Sequence, residues 1–127
     1  MIKLIRSAFN LLGAVALLVS FMCALGNAQD KFPTGKYGVG EFTISFGTDG
    51  TTTVRRQADI VVEGVYSVTK DEITITDKRG PMACIDAGPG KFQWKFDGKT
   101  LTLKTIEDKC GGRASALTSQ PLVKKDE

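Results

Sequence analysis

The sequence predicts an all-β domain: a small antiparallel up-and-down β-barrel of about eight strands, with a β-sandwich as the alternative and a signal-peptide helix in front. Three observations carry that expectation. Apolar and polar residues alternate in Phe42-Thr-Ile44-Ser-Phe46, in Ile73-Thr-Ile75-Thr76 and in Phe92-Gln-Trp94-Lys-Phe96, the pattern of strands with one buried face. Turn residues such as Asp49-Gly50, Gly88-Pro89-Gly90 and Asp97-Gly98 separate these segments at short spacing, as in sandwiches and barrels. No segment of helical period follows residue 28, and consecutive hairpins close most simply as an up-and-down barrel.

Residues 1–28 read as a secretory leader. Lys3 and Arg6 form a short basic start, Leu11 to Leu25 carry no charge, and Gly26-Asn27-Ala28 places small residues where a signal peptidase cuts. The apolar run is shorter than the roughly 20 residues of a membrane span. Cleavage after Ala28 is the expectation, with retention as an anchor and lipidation at Cys23 as alternatives. Met22 stands where a small residue should precede a lipidated cysteine. The mature protein is then secreted or periplasmic and has no membrane span. It divides into a barrel domain over 29–120 and a charged, frayed tail over 121–127.

Taken in order, the first strand opens at Gly35-Lys36-Tyr37 and runs through Phe46. Gly47-Thr-Asp49-Gly50 is a hairpin signal, because Asp-Gly accepts the positive φ of a tight turn. Thr51–Gln57 follows, β-branched, with Arg55 and Arg56 at its end. In the next strand, Ile60–Val68, Gly64 marks a bulge or a corner. Lys70-Asp71 turns the chain into Ile73–Thr76. Asp77–Pro81 breaks that strand, and a short one covers Met82–Asp86. Phe92–Phe96 is the strongest, with three aromatics on one face, and Asp97-Gly98 forms a two-residue hairpin to Leu101–Leu103. Asp108–Gly112 is a loop, and Arg113–Thr118 is the last strand.

Of the three cysteines, Cys23 leaves with the leader. Cys84 and Cys110 remain, an even pair in an exported chain, and are expected to form a disulfide. Closing that loop is worth roughly 3.5 kcal/mol in the chain-entropy description. A metal or a reactive thiol is the competing reading, but two thiols without a histidine make a poor zinc site. No metal or cofactor is expected.

The chain contains no histidine, which excludes Ser-His and Cys-His nucleophile pairs. Asp77, Asp86 and Asp108 sit in loops and could supply the carboxylate pair of a glycosidase. Loop aspartates more commonly cap turns, so the expectation is a non-catalytic protein. The net charge of +3 falls to +1 once Lys3 and Arg6 are removed, 15 basic residues standing against 14 acidic. Without a basic run, nucleic acid is not an expected partner. A monomer is expected.

Gly35-Lys-Tyr37 before the first strand resembles the Gly-x-Trp start of the lipocalin and avidin-like (calycin) barrels, with tyrosine in place of tryptophan. Asp77 to Arg113 is also similar to a group of small exported bacterial lipocalin-like proteins. The likeness covers most of the mature chain in layout, although the chain is shorter than a typical lipocalin. In these families an arginine from near the last strand packs across the aromatic ring at the closed end. The resemblance therefore implies that Arg113 lies over Tyr37, delivered by the loop that Cys84 and Cys110 anchor. It also implies small-molecule binding, the common function, or protease inhibition, found in some short periplasmic members.

Phe42, Phe46, Tyr66, Phe92, Trp94 and Phe96 are the candidates to line the interior. They either fill a small barrel outright or leave an apolar pocket at one mouth. In the second case Phe42, Tyr66, Trp94 and Phe96 contact a ligand, and Tyr66 and Trp94 offer polar handles. Two functions stay open: a carrier of a small apolar ligand, or a module that binds another exported protein through its exterior loops. An open, lined cavity favours the first; a filled interior with an exposed apolar loop patch favours the second. Arg55 and Arg56 read as a solvated strand end, or as a contact for an acidic partner.

Overall fold

The structure, a computed structural model, describes residues 31–126. Eight antiparallel strands form a closed barrel in which each pairs with the next and the last with the first. They are β1 (Gly35–Val39), β2 (Phe42–Phe46), β3 (Thr51–Arg56), β4 (Asp59–Thr69), β5 (Glu72–Arg79), β6 (Gly90–Phe96), β7 (Thr100–Glu107) and β8 (Leu122–Lys125). One helix, α1 (Gly111–Thr118), joins β7 to β8. The predicted leader, with Cys23 and the cleavage position after Ala28, lies outside the described residues.

The up-and-down barrel expected from the sequence is present, but several of its segments differ from the expectation. The single strand expected from Gly35 to Phe46 is a hairpin: Gly40, at φ 57°, turns the chain at Gly40-Glu41, and Val39 pairs with Phe42. Met82–Asp86 is not a strand. It follows Pro81 and is tied down piecewise, by the Met82 N–H on the Val61 carbonyl (3.0 Å) and the Ala83 N–H on the Gly80 carbonyl (3.1 Å). A single 3-10 turn follows at Ile85–Ala87.

Arg113–Thr118, expected as the last strand, is helical. Cys110 caps it, its Sγ accepting the Arg113 N–H at 3.3 Å. Ala114, Ala116 and Leu117 are strong helix formers, and the small residues between them give a false alternation. The true last strand is Leu122–Lys125, inside the segment expected as a frayed tail. Leu122 is fully buried, and β8 pairs with both β1 and β7, so it closes the barrel. The bulge expected at Gly64 is present, as a register shift between Glu63 and Gly64. The loop after Phe96 is longer than expected, Asp97 to Lys99, and the Asp97 carboxylate accepts the Lys99 and Thr100 N–H groups.

Alternation places Tyr37, Ile44, Phe46, Ile73, Ile75, Phe92, Leu101, Leu103 and Leu122 in one core, joined by Leu117 of α1. Each large side chain buried fully there stabilises the fold by about 1.5–3 kcal/mol.

Candidate ligand cavity

Strand direction sorts the connections to two ends. The β1–β2, β3–β4, β5–β6 and β7–β8 links lie at one end, and the β2–β3, β4–β5 and β6–β7 links at the other. The two ends differ in how they are filled.

The end bearing the β2–β3 and β4–β5 links is packed with aromatics. Phe32 meets Phe46 and Trp94 edge-on, each with centroids 5.2 Å apart, and tilts against Tyr66 at 5.6 Å. Tyr37 packs edge-on against Phe46 at 5.9 Å and Phe96 at 6.4 Å. The Tyr66 hydroxyl donates to the Gly47 carbonyl at 2.6 Å, and that of Tyr37 donates to the Pro33 carbonyl at 2.5 Å. Burial pushes the Tyr37 hydroxyl up to about 12. Burial also raises Tyr66, with the Asp49 carboxylate adding to it.

The end bearing the β5–β6 and β7–β8 links is hollow. A cavity of about 190 Å³ lies among Val39, Phe42 and Ile44, Val54, Val61 and Ile75. Gly112, Arg113, Ala116 and Leu117, one face of α1, complete it, with Met82 at an exposed rim. The helix is held there by the Cys84–Cys110 disulfide, whose Cα atoms are 6.1 Å apart. Of the residues expected to contact a ligand, Phe42 lines this cavity. Tyr66, Trp94 and Phe96 belong instead to the aromatic end, because their places on β4 and β6 lie toward the β4–β5 and β6–β7 turns.

Arg113 is not over Tyr37. The cation at that ring is Lys124 of β8, with Nζ 5.9 Å from the Tyr37 centroid and 5.6 Å from that of Phe96. Arg113 is drawn to carboxylates at the cavity end. Its Nε and Nη2 donate to the two oxygens of Asp108 at 2.8 and 2.7 Å, and Nη2 also reaches the Gly88 carbonyl at 2.8 Å. Nη1 lies 3.5 Å from Asp77 Oδ1. Charge-assisted bonds to a carboxylate outweigh a guanidinium–tyrosine contact, which is why the expected pair does not form. Gly90 makes room: a Cβ there would sit 2.8 Å from Asp108 Cγ and 3.1 Å from Arg113 Nε.

The hydrogen bond from Asp108 raises the Arg113 pKa against the opposing effect of burial, aided by the charges of Asp108 and Asp77. Burial alone would raise Asp108. The Arg113 hydrogen bonds, the Cys110 N–H and the Arg113 charge outweigh it and hold that carboxyl below its usual range. Asp108 does cap a turn, through Cys110 N–H at 2.8 Å, as loop aspartates were expected to. Asp77 lies within β5, which runs on to Arg79, and not in the expected loop; its carboxylate accepts the Cys84 N–H, also at 2.8 Å. Asp86 is exposed and stands apart. Sequence reasoning missed that Asp77 and Asp108 share one arginine. The signal for it is the helix-forming Ala114–Leu117 segment, which places Arg113 one turn above Cys110.

Among the described residues, no group of three or more Cys, Asp or Glu side chains is placed to hold a metal ion. In comparisons with family models, with curated proteins and with solved structures, nothing matches this chain.

Proposed function

We propose that this is an exported, non-catalytic protein of lipocalin-like design that binds a small apolar ligand in the cavity beneath α1. The observation that carries the reading is the division of the interior: aromatic packing fills one end, while the other keeps about 190 Å³ of apolar-lined space. An apolar cavity of roughly 150 Å³ stays dry and takes up benzene, so a single ring with one or two small substituents fits. Export is supported by the leader pattern of residues 1–28 and by the Cys84–Cys110 bridge, since such bridges persist in oxidising compartments. No described helix is long and apolar enough to cross a membrane.

Calorimetric titration with p-xylene tests the reading. Saturable binding to one site is expected, and Val54→Phe, which places a ring in the cavity, should abolish it. Absence of saturable binding of p-xylene and of its single-ring analogues to the folded wild-type protein would overturn the reading. A second reading, docking of another exported protein, draws support from Met82 and Ile85, which are 47% and 56% exposed on the β5–β6 connection. Ile85→Ser separates the two, because Ile85 belongs to the exposed patch and does not line the cavity.

A further inference from the structure

The cavity wall is mostly apolar, with Thr52 its uncharged polar residue, and the charged groups are gathered at one point. Arg113 and Asp77 both line it, and the side chain of each is only 6% exposed. Two of the three guanidinium nitrogens are engaged by Asp108 and Gly88, but Nη1 is buried without a hydrogen-bond partner. Its nearest carboxylate oxygen, Asp77 Oδ1, is 3.5 Å away, an ion-pair distance at the outer limit for a hydrogen bond. The other Asp77 oxygen is occupied by Cys84 N–H. A buried donor and a buried acceptor therefore stand side by side, each with capacity left over, at the edge of an apolar space. Leaving such groups unmet is unfavourable, and one small polar group between them satisfies both.

We infer that Asp77 and Arg113 form the head-group site of this cavity, and that its ligand is a neutral alcohol on an apolar body. The inference rests on the ligand-binding reading above. A hydroxyl meets the geometry because it donates and accepts at once: its O–H donates a hydrogen bond to Asp77 Oδ1, and its oxygen accepts one from the Arg113 Nη1–H. A carboxylate meets it poorly. It would accept from Nη1 but has nothing to donate to Asp77, and one guanidinium already faces two carboxylates, Asp77 and Asp108. A third negative charge in that buried cluster is repelled. A plain hydrocarbon fills the space and leaves both polar groups unmet. The site thus distinguishes ligands by head group, whereas the apolar wall distinguishes them by size.

Three probes of similar shape test this in the wild-type protein at pH 7: p-xylene, 4-methylbenzyl alcohol and 4-methylbenzoate. The alcohol should bind at least about tenfold more tightly than the carboxylate, and more tightly than the hydrocarbon. Asp77→Asn keeps an oxygen for Cys84 N–H and removes one negative charge, so it should narrow or invert the preference for the alcohol over the carboxylate. The wild-type comparison stands on its own should that variant fail to fold. Equal affinity for the alcohol and p-xylene, or for the alcohol and the carboxylate, would overturn the head-group assignment and leave the apolar-ligand reading standing. Failure of all three to bind would overturn that reading as well.

Discussion

Arg113→Ala tests the polar clamp that holds the cavity end together. The wild-type guanidinium makes three charge-assisted bonds, two to Asp108 and one to the Gly88 carbonyl, and pairs more loosely with Asp77. Removing it strands the Asp108 side chain, which has no solvent exposure, and that of Asp77, which has 6%. Breaking a buried pair from one side costs about 3–5 kcal/mol. That is a large share of the roughly 5–15 kcal/mol that stabilises a small domain. The melting temperature should fall on the order of 20 °C.

The pH dependence has a definite sign. The Asp108 carboxyl is held low in the folded wild type, so its stabilisation is present above the unfolded carboxylate pKa and is lost as pH falls through the folded value. In the variant the cation is gone and only the Cys110 N–H still opposes burial, so the balance moves toward the protonated acid. The gap between the two proteins should narrow as pH falls from 7 toward about 3. Urea unfolding with the disulfide intact measures this, and Asp108→Asn in the Arg113→Ala background should recover part of the loss. A loss under about 1 kcal/mol at pH 7, or a gap independent of pH, would refute the account of a buried clamp.

The Cys84–Cys110 bridge should leave no thiol open to alkylation before reduction, as read by mass. Replacing both cysteines with serine should cost roughly 3.5 kcal/mol for a separation of 26 residues; free thiols in the oxidised protein would contradict this. At the aromatic end, Lys124→Met and Tyr37→Leu should couple by about 0.5–1 kcal/mol in a double-mutant cycle, while Arg113→Ala and Tyr37→Leu should add. Tyr37 should ionise at about 12 in a spectrophotometric titration. Its burial then contributes stability that is complete below the ordinary tyrosine value and is lost as pH rises through about 12. A Tyr37 that ionises at the ordinary tyrosine value in the folded protein would disprove its burial.

What was legible in the sequence was the barrel and its strand count, and the count came out right while two of its members changed. Alternation identified β2, β5 and β6 directly, since Phe42, Ile44 and Phe46, for example, share one face. It could not see the turn at Gly40, because a hairpin that reverses at a glycine continues the same period of two. It also read Arg113–Thr118 as a strand, because alanine and serine carry too little contrast in polarity to separate the two periods. The closing strand β8 was hidden by its charges: outside Leu122 and Val123 it is lysine, and its place is fixed by pairing with β1 and β7. At the site, Phe42 was legible as an inward residue. The Asp77–Arg113–Asp108 cluster was not, because Asp77 on β5 and the distant β7–β8 connection meet only once the barrel closes and the disulfide draws α1 over its mouth.

The central claim is that the space beneath α1 is where this protein holds a ligand. Methyl-resolved NMR during titration with 4-methylbenzyl alcohol tests it most directly, because the cavity walls carry methyl groups and the opposite end is largely aromatic. The account predicts saturable shifts at Val39, Ile44, Val54, Val61, Ile75 and Leu117, with Ile106 and Val123, exposed on the barrel exterior, left in place. Shifts confined to those exterior methyls, or none at all at saturating probe, would contradict it.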